Sequence, residues 1–443
     1  MSKSLVEVSE LTVEYDDVIA LRNVSFSLDK GELLLVLGPS GAGKSTLLKV
    51  LAGIIPHIVQ GKVRGNISID FRNPLNEGPS GIADVISYVP QEPWDGVLTH
   101  SVEAELYINA IMRGTDFSKV TRIINEFRLE SIVNRLTYTL SAGEVQRLIL
   151  ASSSYGGTKL YLLDEPSSFL DHDNRKLLRE YISKLLNEGY AIVMVDHHID
   201  LWRNIASKVL VLDKGVPVYY GDSIEEAENY LLQMSNSIKE SRKSGEIRIS
   251  SSRELVLSMD SVWFRYPGSR NYVVNDFNLK LFKSEFVVLV GPNGVGKTTI
   301  LKIASKILRP NKGRVHVNGK AIYIPENPLL YFSEPIVYDE VVGRAKDQSY
   351  GEELLRKLNL MHLSSKPIRK LSSGERRRVA LASALARGFN LICIDEVTAG
   401  LDPYNAKLVL NTIVDALSSD VSVLGASHDK RLYSRASKVI TLR

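Results

Sequence analysis

The chain has 443 residues, 44% apolar and 24% charged, which is folded-protein composition with room for two or three domains and excludes disorder as its main state. Lys+Arg 55 against Asp+Glu 51 leave a net charge of +4, too balanced for field alone to recruit nucleic acid or an anionic membrane. The single cysteine, Cys393, excludes intramolecular disulfides, CxxC zinc sites and cysteine-held iron–sulfur clusters.

In chain order, the N-terminus MSKSLVEVSE lacks the apolar core of a secretory signal. Val24–Leu28 and Leu33–Leu37 read as strands. A glycine loop follows, Gly38-Pro-Ser-Gly-Ala-Gly-Lys44-Ser45-Thr46, opening a helical stretch, Ser45–Leu51. Arg72–Asp84, rich in Pro, Gly and Asn, reads as loop. Leu140-Ser141-Ala142-Gly143-Glu144 opens a helix over Gly143–Ser152. The strand Leu160–Leu163 ends in Asp164-Glu165, and a helix over Asn174–Asn187 follows. Ala191–Val195 and Val209–Leu212 are further strands, the first running into His197. The longest apolar runs last about five residues, whereas a membrane-spanning helix needs about 20. The expectation is a cytosolic chain.

The set then repeats. Ser141 with Ser372, Asp164 with Asp395, Asp171 with Asp402 and His197 with His428 all stand at one and the same spacing. The second glycine loop is Gly291-Pro-Asn-Gly-Val-Gly-Lys297-Thr298-Thr299, and the path from it to Ser372 is shorter than the path from the first loop to Ser141. Most of that loss maps to Arg72–Asp84. The polar stretch 235–254 reads as a linker between residues 1–234 and 255–443. Each half is predicted as a largely parallel α/β sheet with added β elements at its front.

The chemistry follows from residue types. Backbone N–H groups of a glycine loop wrap a phosphate chain at a helix N-terminus. Gly38, Ser40, Gly41, Gly43, Lys44, Ser45 and Thr46 are therefore candidate nucleotide contacts, with Gly291, Asn293, Gly294, Gly296, Lys297, Thr298 and Thr299 in the second half. Ser45 and Thr298 offer a hydroxyl, and Asp164 and Asp395 a carboxylate, to Mg²⁺. Glu165 and Glu396 come directly after those aspartates, placed to orient or deprotonate water. Ser141 with Gly143, and Ser372 with Gly374, make an anion site from hydroxyl and backbone N–H; a plain helix cap with a capping-box glutamate competes. His197 and His428 follow Glu165 and Glu396 at identical spacing, which His198 does not match. Both point to a γ-phosphate contact. Tyr15 and Tyr266 precede their loops at nearly equal spacing and could each stack on an adenine.

Taken together the set resembles the ATP-binding cassette ATPases, twice over nearly the whole chain: aromatic loop, Walker A, Gln loop, signature, Walker B, D-loop and His switch. The resemblance implies two P-loop NTPase domains in tandem, each an α/β fold with a β front subdomain and a helical subdomain, and ATP and Mg²⁺ as ligands. It also implies that Gln91, in Tyr88-Val-Pro-Gln91, joins Mg²⁺ to a membrane partner. Members work as head-to-tail sandwiches, so Lys44 and Glu165 would face ATP opposite Ser372 and Gly374, and Lys297 and Glu396 opposite Ser141 and Gly143. Pairing within one chain is expected, with a homodimer as the alternative. Glu326 departs from the Gln loop, both signatures end in Glu, and Val397 and Ala399 replace the usual Pro and Ser. The second site is the less regular one.

Gln91-Glu-Pro-Trp-Asp with Val102-Glu-Ala-Glu105, and Glu326-Asn-Pro-Leu with Val337-Tyr-Asp-Glu340, resemble the same region of energy-coupling-factor importer ATPases. That implies a transmembrane coupling protein and a substrate-binding membrane component as partners, and a place on the cytoplasmic face of the membrane. The segments Glu92–Glu105 and Asn327–Glu340 are the expected docking surfaces. An exporter ATPase, or a tandem cassette acting in translation or nucleic-acid metabolism, is the rival reading. Balanced charge, too few cysteines for a zinc or iron–sulfur domain and the short linker speak against nucleic acid.

Overall fold

The computed structural model describes residues 4–236 and 254–442, except 16, 17, 156, 270, 397, 399, 400 and 428. Nearly all of the expected linker, and His428, Val397 and Ala399 with it, lie outside the described residues. The chain divides into two compact units, residues 1–241 and 242–443.

In the first unit β1 (Val6–Tyr15), β2 (Val18–Leu28), β3 (Leu33–Leu37) and β4 (Lys62–Ile69) come first. Then follow β5 (Ile86–Val89), β6 (Leu160–Asp164), β7 (Ala191–Val195), β8 (Lys208–Asp213) and β9 (Val216–Gly221). The central sheet has the order β5-β6-β7-β3-β8-β9, parallel except for the β8–β9 hairpin. An antiparallel front sheet, β2-β1-β4, covers one face. All five residues of β3 are buried, because a parallel strand is covered on both sides. Leu33, Leu35 and Leu37 pack into the core shared with the helical subdomain. Leu34 and Val36 pack into the core beneath the front sheet. The alternation of a single strand thus serves two cores.

The second unit repeats this. Its strands are β10 (Leu255–Phe264), β11 (Val274–Phe282), β12 (Phe286–Val290), β13 (Lys312–Val317), β14 (Ala321–Ile324), β15 (Leu391–Asp395), β16 (Ser422–Ala426) and β17 (Lys438–Thr441). The order is β14-β15-β16-β12-β17, with β11-β10-β13 in front. Phe286 and Val288 face one core, Val287 and Leu289 the other.

Three expectations are corrected. Val24–Leu28 is only the end of a longer front strand, β2. Arg72–Asp84 is no open loop: Pro74–Ile82 is helical, bent at Gly78. Asn73 caps it by accepting from Leu75 N at 2.9 Å, and Pro74 fits the first turn, where its missing N–H costs nothing. Arg72 then clamps the segment, pairing with Glu77 at 2.8 Å and Asp84 at 2.7 Å. The helix after Asp171 starts at His172, ahead of the expected Asn174, because Asp171 accepts from Asn174 N at 2.9 Å as its cap.

Candidate active site

Each glycine loop joins the C-terminal end of a central strand to a helix, β3 to Lys44–Leu51 and β12 to Lys297–Ala304. Gly43 has φ +93°, and a Cβ there would stand 2.4 Å from the Ala20 carbonyl, so only glycine fits. Gly41 and Gly294, at φ +79° and +82°, face open space instead. Lys44 Nζ donates to the carbonyls of Gly38 at 2.8 Å and Pro39 at 2.9 Å. Lys297 does the same to Gly291 at 2.6 Å and Pro292 at 3.0 Å. Each lysine is curled over a loop whose backbone it can leave for a phosphate. Tyr15 hydrogen-bonds Thr46, and Tyr266 Oη lies 3.2 Å from Thr299 Oγ1, so both rings sit beside their loops.

The acids converge on the same strand ends, as the crevice of an open α/β sheet requires. Asp164 is 1% exposed and Ser45 bonds its carboxylate. Burial, then the neighbouring Glu165, pushes Asp164 up to about 7 from an ordinary 3.8. In the second unit Asp395 Oδ2 accepts from Thr298 Oγ1 at 2.6 Å and from the Tyr323 hydroxyl at 3.1 Å. Burial raises its carboxyl too, with those two hydroxyls opposing.

Glu165 is bound by His197 Nε2 at 3.1 Å and by Ser168 Oγ at 3.0 Å. Burial alone would raise its carboxyl, but His197, Lys44 and Ser168 outweigh that and hold it below the ordinary range. Burial disfavours the charged His197 ring, and Glu165 more than restores it, so His197 titrates above 6.5. Glu165 and Glu396 have φ +50° and +49°, a left-handed backbone that costs energy outside glycine and marks functional positions. Of the two adjacent histidines, His197 reaches Glu165, while His198 Nδ1 lies 2.8 Å from Ser167 Oγ and 3.3 Å from Asp196 Oδ1. His428 is outside the described residues.

Ser141 and Ser372 each cap a helix, Ala142–Ser153 and Ser373–Ala386, with complete capping boxes to Glu144 and Glu375. The variant Glu of each signature is the acceptor for its own cap N–H, at 2.8 Å in both units. Gly143 is buried, Gly374 half-buried. Gln91 and Glu326 follow β5 and β14 and are half-buried.

Several residues escaped the sequence reading. Glu105, fully buried, accepts from Leu98 N, Thr99 N and Thr99 Oγ1, while Glu340 accepts from Ser333 N, Glu334 N and Ser383 Oγ. They fasten the segments after Gln91 and Glu326. Their shared spacing was visible, but spacing alone does not distinguish a buried acid from a solvated one. Pro93 and Pro328 are buried, Trp94 packs edge-on to Phe169 at 6.1 Å, and Val97 and Tyr331 lean on the helical cores. Leu98 and Leu330 are the most exposed apolar side chains of their segments, at 63% and 79%.

The site fits MgATP by its own chemistry. Asp164 Oδ1 is buried with no hydrogen-bond partner among the described residues, and Ser45 is beside the same carboxylate. One carboxylate, one hydroxyl and phosphate oxygens suit Mg²⁺, which rarely uses an all-protein cage. A prediction follows from Asp164. Its folded pKa, about 7, stands above the unfolded value near 3.8, so ionising it in place destabilises the metal-free fold as pH rises through 7. Asp164→Asn should raise the melting temperature of nucleotide-free protein at pH 8 by several degrees, a gain that fades towards pH 4, while MgATP turnover is lost. Thermal scans at pH 8 and 5 check this, and a variant no more stable at pH 8 contradicts it.

The comparisons agree with this geometry. The family model described as ABC transporter matches residues 21–168 and 274–399, more than half of the chain. An ABC transporter ATP-binding protein of Methanosarcina acetivorans, so named provisionally, is 29% identical across 97% of this chain and 86% of its own length. A Bacillus subtilis protein provisionally named as the HMP/thiamine import ATP-binding protein YkoD is 25% identical, covering 99% of this chain and 90% of that one. Among solved structures, a ribosome-bound archaeal complex of Pelota and ABCE1 aligns with TM-score 0.73 at 23% identity, over 98% of this chain and 76% of that one. That last likeness is one of fold. With two matched domains and two loop–acid constellations, the chain belongs to the ABC transporter family and is a tandem ABC ATPase.

Proposed function

We propose that this chain is the ATP-hydrolysing subunit of an importer of the energy-coupling-factor type, working at the cytoplasmic face of the membrane through a transmembrane coupling protein and a substrate-binding membrane component. Lys44 and the open glycine loop bind the β- and γ-phosphates. Asp164 and Ser45 hold Mg²⁺, which neutralises phosphate charge. Glu165, kept ionised by His197 and Lys44, accepts a proton from the attacking water. Lys297, Thr298, Asp395 and Glu396 do the same work in the second half, and Tyr15 and Tyr266 set the base beside each loop.

The observation that carries the transport reading is an apolar surface on the helical subdomain of the first unit. Ile111, Met112 and Phe117 are 58%, 68% and 52% exposed, and Phe117 meets the half-exposed Tyr107, one turn before Ile111 on the helix Val102–Met112, edge-on at 5.4 Å. Exposed apolar clusters of this kind mark binding surfaces. Among the described residues no helix is long and apolar enough to cross a membrane, so a transport path would need other chains. The name of the B. subtilis relative supports import.

Replacing Ile111 and Met112 with Glu should leave basal ATPase within about twofold, since surface substitutions rarely cost more than about 0.5 kcal/mol. Recovery with membranes and transport should both fall. Fractionation of the unaltered chain tests the class itself: transport requires it to pellet with membranes. Sedimentation with ribosomes would move the reading to the translation factors that share the fold.

A further inference from the structure

Arg377 lies on the helix Ser373–Ala386 and is 3% exposed. One guanidinium nitrogen donates to the carbonyls of Glu396 and, at 3.4 Å, Asp395. The other donates to the carbonyl of Glu326 at 3.1 Å. A single side chain therefore ties the two acids that end β15 to the loop that follows β14. Its Nε is buried with no hydrogen-bond partner among the described residues.

The first unit answers differently. At the constant spacing of the repeat, the residue equivalent to Arg377 is Gln146, fully buried, and neither of its amide atoms has a partner among the described residues. The partner loop there carries Gln91 where the second unit carries Glu326. Two neutral amides in one unit thus stand where the other has an acid and a base. The two exchanges have opposite sign, and the guanidinium of one bonds the main-chain carbonyl of the other. A guanidinium stays charged at any ordinary pH, and burying it is costly unless anions lie near. An extra carboxylate beside a triphosphate is equally unwelcome.

We propose that Arg377 is a positioning residue of the second site, holding the Asp395–Glu396 strand end and the Glu326 loop together, and that its charge offsets the one Glu326 adds. This rests on reading the second unit as an ATP-hydrolysing site. The left-handed backbone of Glu396 is then held from outside by the guanidinium on its carbonyl. Turnover at this site should follow the local charge: slowest when Glu326 is left alone, fastest when Arg377 is.

The test uses the full chain carrying Glu165→Gln, so that the remaining turnover reports the second site. In that background R377Q should lower kcat about tenfold, and E326Q should leave it equal or higher; the R377Q/E326Q pair should return to within about threefold of the parent. R377K keeps the charge but loses the fork, and should fall between the parent and R377Q. A double variant as slow as R377Q, or an R377Q that turns over like its parent, overturns the proposal. If R377Q alone does not fold, the reversal is read on stability: the double must melt within a few degrees of the parent, and a double that stays unfolded overturns it. If the parent shows no turnover, the hydrolytic reading of the second site is what fails. The same four chains are then compared by Mg²⁺-dependent binding of a fluorescent ATP analogue. R377Q should weaken binding several-fold and the double restore it; equal affinities overturn the proposal.

Discussion

Lys44→Ala should lower ATP hydrolysis by about 100-fold or more and leave the protein folded. Lys44 is 7% exposed, but its ammonium lies on the rim of the loop and is spent on the carbonyls of Gly38 and Pro39. Removing it takes no apolar side chain out of either core of the first unit. It frees the buried carbonyl of Gly38 and the part-buried carbonyl of Pro39, two acceptors that lose their donor. The expected cost in stability is therefore about 1–3 kcal/mol, a shift of several degrees that leaves the fold intact. Hydrolysis loses far more, because the ammonium is needed where negative charge collects between the β- and γ-phosphates. Paired measurements of kcat and melting temperature separate the two effects. Unchanged turnover would remove the glycine loop from the mechanism, and a collapse of the fold would make Lys44 a scaffold residue.

Much of the fold could be read before any coordinates, for a physical reason. Buried parallel strands such as LLLVL and LYLL are apolar throughout, and glycine loops and Asp-Glu pairs interrupt them at fixed places. The constant spacing from Ser141 to Ser372, and from His197 to His428, then shows the same design used twice. What stayed hidden is whatever depends on which side chains meet. Arg72 finds Glu77 and Asp84 only once the chain has turned, so a stretch full of Pro and Gly looked like loop. Trp94 and Tyr331, in the segments expected to dock a partner, turn out to pack partly against the helical cores. Arg376-Arg377-Arg378 looks like a solvated basic face, yet Arg377 and Arg378 are 3% and 5% exposed. Their hydrogen bonds go to carbonyls as distant in sequence as Glu326 and Leu358, which no periodicity announces.

Glu165→Gln should remove about 90% of hydrolysis or more, and Glu396→Gln less than about half. Both glutamates share the position after the strand, the left-handed backbone and a neighbouring buried Asp. They differ in their support. Glu165 is held by His197 on one oxygen and Ser168 on the other, with Lys44 adding to the field that keeps it ionised. The residue equivalent to Ser168 is Ala399, which has no hydroxyl to offer. Asp395 carries the Tyr323 hydroxyl in addition to Thr298, a second donor that a metal would have to compete with at the same oxygen. Glu326 adds a carboxylate near the transferred phosphate, where it opposes the charge that builds during transfer. Each difference slows the second site and none disables it, so it should bind MgATP and turn over more slowly. Glutamine keeps the shape of glutamate but cannot take the water's proton, so both variants should still bind nucleotide. Steady-state rates and ATP binding on the two single variants decide the matter. Equal losses of rate would mean that the two sites work alike and that the hydroxyl on Glu165 and the phenol on Asp395 have no kinetic weight.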